Sequence, residues 1–305
     1  MRRYDFAAFH WLDVLDPQKR EIAELSRKYD FHELDREALS EENQRDRVDT
    51  YDNYLFLTLH FPKYNTVTKR YIGSEFNFFV SKEYLVGVRY YASKTIDSIF
   101  DGYERKGGSP EETPGDVLYD VIDAMLDKIF RGLDKFTIDV RLMERRIFDQ
   151  AGNRSVELIE ELMVKKRNIV TLKHMLKPQV GVLKILELRM NAMFGADRME
   201  DYFESLQDKM EQIQDEITLL QENLESMEDT LKSIFDLETN SIIKYLTIFS
   251  AFMLPLTLVT SFFGMNLASA PFNDWFVYGW ILILGGVAGA MVWWILRDQR
   301  GSRKR

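Results

Sequence analysis

Asp229, Ser233, Asp236, Asn240, Ile243, Thr247, Ser250, Leu254, Thr257 and Ser261 step alternately by four and three along the chain. On a helix turning ~100° per residue, that spacing gathers them on one face. The face offers carboxylate, amide and hydroxyl oxygens, the donors that suit hard cations such as Mg²⁺. Nothing softer competes with them. The sequence has no Cys, which excludes disulfides and thiolate metal sites. Its four His, at 10, 32, 60 and 174, are scattered and suggest no zinc or catalytic cluster. No nucleophile–base pair and no phosphate-binding glycine loop is evident, so an enzyme is not expected.

The element that carries this face runs into a membrane-like segment. No charged residue occurs from Tyr245 to Asn273, and Phe276 to Leu296 is a second charge-free run. Each exceeds the roughly 20 helical residues that cross a ~30 Å hydrocarbon core. Two buried core helices are the soluble alternative, but paired runs of this length are rare in soluble folds. Within a bilayer a polar face must meet another helix or water. Helix packing through small residues would account for the stripe, and so would a water-filled pore. Continuity favours the pore, because the stripe is acidic before the apolar run and hydroxyl-bearing within it. One helix cannot enclose a pore, so several copies would share an axis, in a number the stripe does not specify.

Charge gives the orientation. Five basic residues (Arg297, Arg300, Arg303, Lys304, Arg305) follow the second run, whereas the connection 266–275 carries only Asp274. The positive-inside rule puts the tail and the large N-terminal part in the cytoplasm and the connection outside, in an inner or cell membrane. Trp275, Tyr278 and Trp280 read as the outer interfacial belt, Trp293 and Trp294 as the inner one. Positions 245–305 hold two acids and five bases, and removing them from 49 and 40 leaves 47 acids and 35 bases, a net of −12 for positions 1–244. A nucleic-acid partner is not expected of so acidic a part. Asp5 and Asp13 interrupt the N-terminal apolar stretch, so no signal peptide is expected.

The soluble part reads as an α/β domain followed by antiparallel helices. Trp11–Leu15 is strand-like, and Asp16-Pro17 is expected to open a helix to Tyr29. Tyr54–Phe61 reads as a strand, and Phe76–Val80 with Tyr84–Arg89 as a hairpin. Positions 106–115 read as a loop, and 116–147 and 155–176 as charged helices. From Leu206 to Ile234, Leu206, Met210, Ile213, Ile217, Leu220, Leu224, Met227, Leu231 and Ile234 form a heptad stripe expected of a coiled-coil stalk. No breaker precedes Pro255, so stalk and first span are expected to form one helix of about sixty residues, at ~1.5 Å each some 90 Å long. The expected division is 1–200 cytoplasmic domain, 201–244 stalk, 245–265 first span, 266–275 outer loop, 276–296 second span and 297–305 tail.

The first span ends in Phe263-Gly264-Met265-Asn266. A tripeptide alone is weak, but its place at the outer end of the penultimate span makes it strong. Here the chain resembles the CorA family of Mg²⁺/Co²⁺ transport proteins, which have two C-terminal spans and a Gly-Met-Asn signature after the first. The likeness continues upstream through Asn240, Lys244-Tyr-Leu-Thr247 and Pro255-Leu-Thr257. It extends more loosely to Phe9–Val14, Arg47–Leu57 and Phe76–Arg89.

The resemblance implies an α+β membrane protein: a homopentamer with a funnel-shaped cytoplasmic domain and a central pore, passing Mg²⁺ and also Co²⁺. Carried over by position, Gly264, Met265 and Asn266 form the selectivity element. Asn240, Ile243, Leu246, Leu254 and Thr257 line the pore, with Asp229 as an acidic ring; the helical wheel selects Thr247 where the resemblance selects Leu246. It also implies regulatory Mg²⁺ between cytoplasmic domains, with Asp208 kept in the stalk half; Glu204 is a candidate beside it, and Asp97 and Asp101, on the helix after the hairpin, are candidates for the facing half. Ser205 stands where the family has the first acid of the stalk half. Phe263 replaces the usual Tyr, and Ser269-Ala-Pro-Phe-Asn-Asp274 replaces the usual outer Met-Pro-Glu, leaving Asp274 as the substitute acid. A Zn²⁺ or other divalent transporter of the same superfamily, or a membrane-anchored coiled-coil sensor or scaffold, are the alternatives.

Overall fold

The computed structural model describes residues 1–41, 44–149 and 155–264, and beyond these residues 275, 278–280, 282–283, 285–286, 289–290 and 293. Two compact units divide the chain at Asp229 and Thr230.

The first unit is built on apolar strands covered on both faces. They are β1 (Arg2–Asp5), β2 (His10–Leu15), β3 (Arg47–Thr50), β4 (Leu55–Asn65), β5 (Arg70–Val80) and β6 (Tyr84–Arg89). The sheet order is β1-β2-β6-β5-β4-β3, with β2 and β6 parallel and every other pair antiparallel. Every residue from Tyr54 to Leu59 and from Phe76 to Val80 is buried, the signature of strands with no solvent face. On one face α1 (Lys19–Tyr29) and α2 (Glu33–Ala38) close over Leu12, Val14, Phe56, Phe79, Val86 and Val88. On the other, Trp11 packs on Phe100 of α3 (Lys94–Lys106), at 4.8 Å between centroids. The same face receives α4 (Pro114–Asp149) and α5 (Ser155–Leu176).

The expected strands and the hairpin are present, with Val80 opposite Leu85. The start of the first helix differs. Asp16 takes the left-handed conformation, φ 49°, and its N–H donates to the Arg89 carbonyl at 2.7 Å. It thus ends β2 rather than capping a helix. The helix begins at Lys19, where Glu21 accepts from the Gln18 N–H at 2.7 Å. The short edge strands β1 and β3, and a separate helix α6 (Gln179–Phe194), are additions to the sequence reading.

The long final helix, α7 (Ala196–Phe263), is continuous through Pro255. Within the first unit, Phe203, Leu206, Met210, Ile213, Ile217, Leu220 and Leu224 are all at most 2% exposed. The heptad stripe therefore finds its seam in this chain's own helices rather than in a coiled coil between copies. Polar links flank it: Lys209 reaches Asp123 and Asp127 of α4 at 2.6 and 2.8 Å, and Lys173 and Lys166 of α5 reach Gln221 and Glu228 at 2.9 and 2.6 Å. A 3.6-residue helix needs the same four–three spacing for an antiparallel neighbour as for a coiled-coil partner.

The second unit contains the rest of α7. This helix includes a stretch long and apolar enough to cross a membrane, none of it buried inside the chain. Tyr245, Phe249, Phe252, Leu254 and Leu258 are each at least half exposed and point around the helix rather than along one stripe. A helix apolar on all sides is not an edge helix of a soluble fold, and its surface needs lipid or other helices.

Candidate cation pathway

The polar stripe lies on the outside of α7. Asp229, Asn240, Ile243, Leu246, Thr247, Leu254 and Thr257 are all exposed in the single chain, Ile243 and Leu254 by 53% and 68%. Leu246 and Thr247 are both exposed, so either can face a shared axis.

The hydroxyls are oriented by the helix itself. Thr247 Oγ1 donates to the Ile243 carbonyl at 2.8 Å, Thr257 Oγ1 to Met253 at 2.9 Å, and Thr260 Oγ1 to Leu256 at 3.0 Å. Each proton is thereby committed to a carbonyl four residues back, and the oxygen lone pairs remain. Such a hydroxyl presents an acceptor to whatever faces it. A hydrated cation turns its water hydrogens outward, so acceptors are what it requires. Pro255 adds to this, because its missing N–H leaves the Ala251 carbonyl without the usual helical partner.

The helix stops at Gly264, whose N–H donates to the Thr260 carbonyl at 2.9 Å. A Cβ at this position would come within 3.1 Å of that same oxygen. Met265 and Asn266, the loop through Asp274 and the tail 297–305 lie outside the described residues, as does most of the span 276–296. The described positions between 275 and 293 are helical, with Trp275, Tyr278 and Trp293 each more than half exposed.

The acids assigned to regulation are placed separately. Glu204 and Asp208 are exposed, one turn apart on α7. Ser205, at the position of the missing acid, lies 3.4 Å from the Tyr119 hydroxyl. Among the described residues no three His, Cys, Asp or Glu side chains of one chain converge to hold a metal. Asp97 and Asp101 lie one turn apart on α3, and both are already in contact with cations. Arg2 donates to Asp97 at 2.8 Å and to Asp101 at 3.2 Å, and Arg89 donates to Asp97 at 2.6 Å. Both arginines also hold Asp13, Arg89 through two bonds of 2.9 and 2.8 Å and Arg2 through one of 2.8 Å.

Sequence reasoning missed this ion cluster. Its only trace there is Asp13 in the middle of a buried strand and Arg89 at the end of another. Burial, the largest single effect on Asp13, pushes its carboxyl up; the bonds from Arg89 and Arg2 outweigh it and hold the group below its ordinary value. Burial likewise works against the charge of Arg89, and Asp13 and Asp97 restore it.

A sequence profile described as CorA-like Mg²⁺ transporter protein matches residues 6–299. The cobalt/magnesium transport protein CorA of Thermotoga maritima is 22% identical over 287 residues, covering 92% of this chain and 80% of that protein. The complete CorA magnesium transporter of Methanocaldococcus jannaschii superposes with a TM-score of 0.79 at 19% identity, covering 94% of this chain and 89% of that one. The full-length CmaX protein gives 0.78 at 21% identity over 96% and 88%. At these identities the superpositions establish a shared fold; the profile, which spans nearly the whole chain, establishes descent. The chain belongs to the CorA-like Mg²⁺ transporter family.

Proposed function

We propose that this protein conducts a divalent cation across a membrane, Mg²⁺ foremost and Co²⁺ as an alternative cargo, through a pore lined by α7. The observation that carries this reading is the polar stripe: it continues from Asp229 into the charge-free stretch, and its threonines keep acceptor lone pairs there. The cobalt/magnesium name of the Thermotoga relative supports the choice of ion. Mg²⁺ sheds water reluctantly and keeps much of its shell when bound. Neutral acceptors can hold that shell without trapping the ion, which conduction requires. A ring of Asn266 amides, with Gly264 and Met265, selects at the outer mouth. Ile243, Leu246 and Leu254 form the constriction that dewets when closed, and Asn240, Thr247 and Thr257 carry the hydrated ion between apolar rings. Asp229 gathers cations at the inner end. The membrane potential drives flux at ~2.3 kcal/mol per charge per 100 mV, about twice that for a divalent ion.

The working unit is an oligomer, five copies by the family resemblance, with spans 245–265 and 276–296. In purified proteoliposomes, Mg²⁺ and Co²⁺ uptake should follow an inside-negative potential. Preferential Zn²⁺ uptake would reassign the cargo, and no uptake of any divalent ion would leave a sensor or scaffold. Orientation is checked separately. Because the chain has no Cys, a single one can be introduced cleanly. In intact cells, Ser269→Cys should react with an impermeant thiol reagent and Ser302→Cys should not; the opposite pattern overturns the assigned topology.

Regulation fits the same frame. Asp208 and Glu204 of one copy and Asp97 and Asp101 of the next would hold a regulatory Mg²⁺, which supplies a charge bridge that favours the closed arrangement. Two copies are needed because the carboxylates of one chain do not converge among the described residues.

A further inference from the structure

The α3 side of that regulatory contact already holds a cation belonging to the chain. Arg2 leaves the edge strand β1, crosses the face of Phe100 at 4.4 Å and ends between Asp97 and Asp101. Its register partner on β2 is Asp13, so the strand ladder and the ion cluster fix it together. The cluster contains three carboxylates (Asp13, Asp97, Asp101) and two guanidiniums (Arg2, Arg89), a formal net of −1. The two arginines differ in place. Arg89 is 2% exposed at its side chain, with Asp13 beside it at 4%, so it belongs to the core. Arg2 is 34% exposed and covers the side where Asp97 and Asp101 meet solvent at 39% and 54%. Without Arg2, the cluster would carry a net of −2, with Asp101 open to solvent and Asp97, one helical turn away, held only by Arg89 from the core side, an edge that a hydrated divalent ion complements.

We propose that Arg2 is a built-in competitor for the Asp97–Asp101 edge, so that a regulatory divalent cation binds there only by displacing its guanidinium. The proposal rests on the regulatory reading of these acids given above. Its consequence is a regulatory affinity set by β1: the pore would stay open to higher internal Mg²⁺ than the carboxylates alone would dictate. The competition is between like charges for the same oxygens, so it needs no large movement. The exposed bonds of Arg2 to Asp97 and Asp101 are the weak ones, because solvent screens them.

The test is protection of the full-length purified oligomer from a protease as Mg²⁺ is raised, with thermal unfolding recorded in parallel to confirm folding. Arg2→Gln should lower the Mg²⁺ concentration for half-protection at least tenfold. Arg2→Lys, which keeps a cation in place, should stay near wild type. Arg2→Gln combined with Asp97→Asn should lose the gain. An unchanged midpoint in Arg2→Gln overturns the competition while leaving the regulatory site standing. Absence of protection in wild type and in every variant removes the regulatory reading and this proposal with it. Should Arg2→Gln not fold, Arg2→Lys decides the matter: acetylation of the introduced amine should accelerate as Mg²⁺ displaces it from the carboxylates. A rate independent of Mg²⁺ overturns the proposal.

Discussion

Asn266→Ala is expected to abolish Mg²⁺ uptake into proteoliposomes, a fall of at least a hundredfold, while the oligomer elutes unchanged on size exclusion. The reason lies in what an aqueous Mg²⁺ offers a channel. Its first-shell waters are held tightly, so the filter meets a sphere of outward-pointing O–H groups rather than a bare ion. A side-chain amide answers with a carbonyl oxygen that accepts without carrying charge. Alanine leaves no acceptor at that level, and in the proposed ring every copy would lose its oxygen at once. A channel needs binding strong enough to enter and weak enough to leave. Asn266→Asp should therefore fail differently, holding the divalent ion more tightly and passing it more slowly. An assembled Asn266→Ala protein with wild-type uptake would move the selective element onto α7, with the hydroxyls of Thr247 and Thr257 next in line.

The proposed pathway is argued from local sequence alone. Four–three spacing, a charge-free run and Gly-Met-Asn at its end are properties of one helix and its terminus. The structure adds the direction of the hydroxyls, which depends on the i−4 carbonyl and so follows from helix geometry. The first unit was legible wherever one element sufficed: β4 and β6, the hairpin, α5 from Ser155 to Leu176. What the sequence hid depends on pairing between distant segments. The heptad stripe of α7 was readable, but the identity of its partner was not, because Leu206 and Ile213 look the same facing α4 as facing another copy. The four-residue strand β1 has too little periodicity to announce itself. It exists because Arg2–Asp5 find β2 as a neighbour. The Arg2–Asp97 contact spans 95 positions, and each residue alone reads as a solvated surface charge. Asp16 misled for a related reason. Asp-Pro is a sound helix opening by local rules, yet its N–H is taken by Arg89 across the sheet.

The ion cluster yields the largest stability effect expected of any single substitution in the first unit. Arg89→Ala should destabilise this unit by about 3–5 kcal/mol, because it strands a buried carboxylate instead of merely deleting a contact. Asp13 is 3% exposed, and its charge persists there only because two guanidiniums outweigh the effect of burial. Remove Arg89 and Asp13 loses two of its three bonds, while Asp97 loses its shortest. Against the roughly 5–15 kcal/mol that holds a domain folded, that loss is a large share. In detergent the thermal midpoint should fall by about 10 °C, at ~2–4 °C per kcal/mol for a unit of this size. Replacing both partners should recover much of it: Arg89→Met with Asp13→Leu fills the same space without a charge to bury. Arg2→Gln should lower the midpoint far less, since Arg2 is a third exposed and leaves Asp13 its two bonds to Arg89. Equal losses for Arg2→Gln and Arg89→Ala would mean that Arg2 is as structural as its neighbour. It would then not be free to yield its place to an incoming ion.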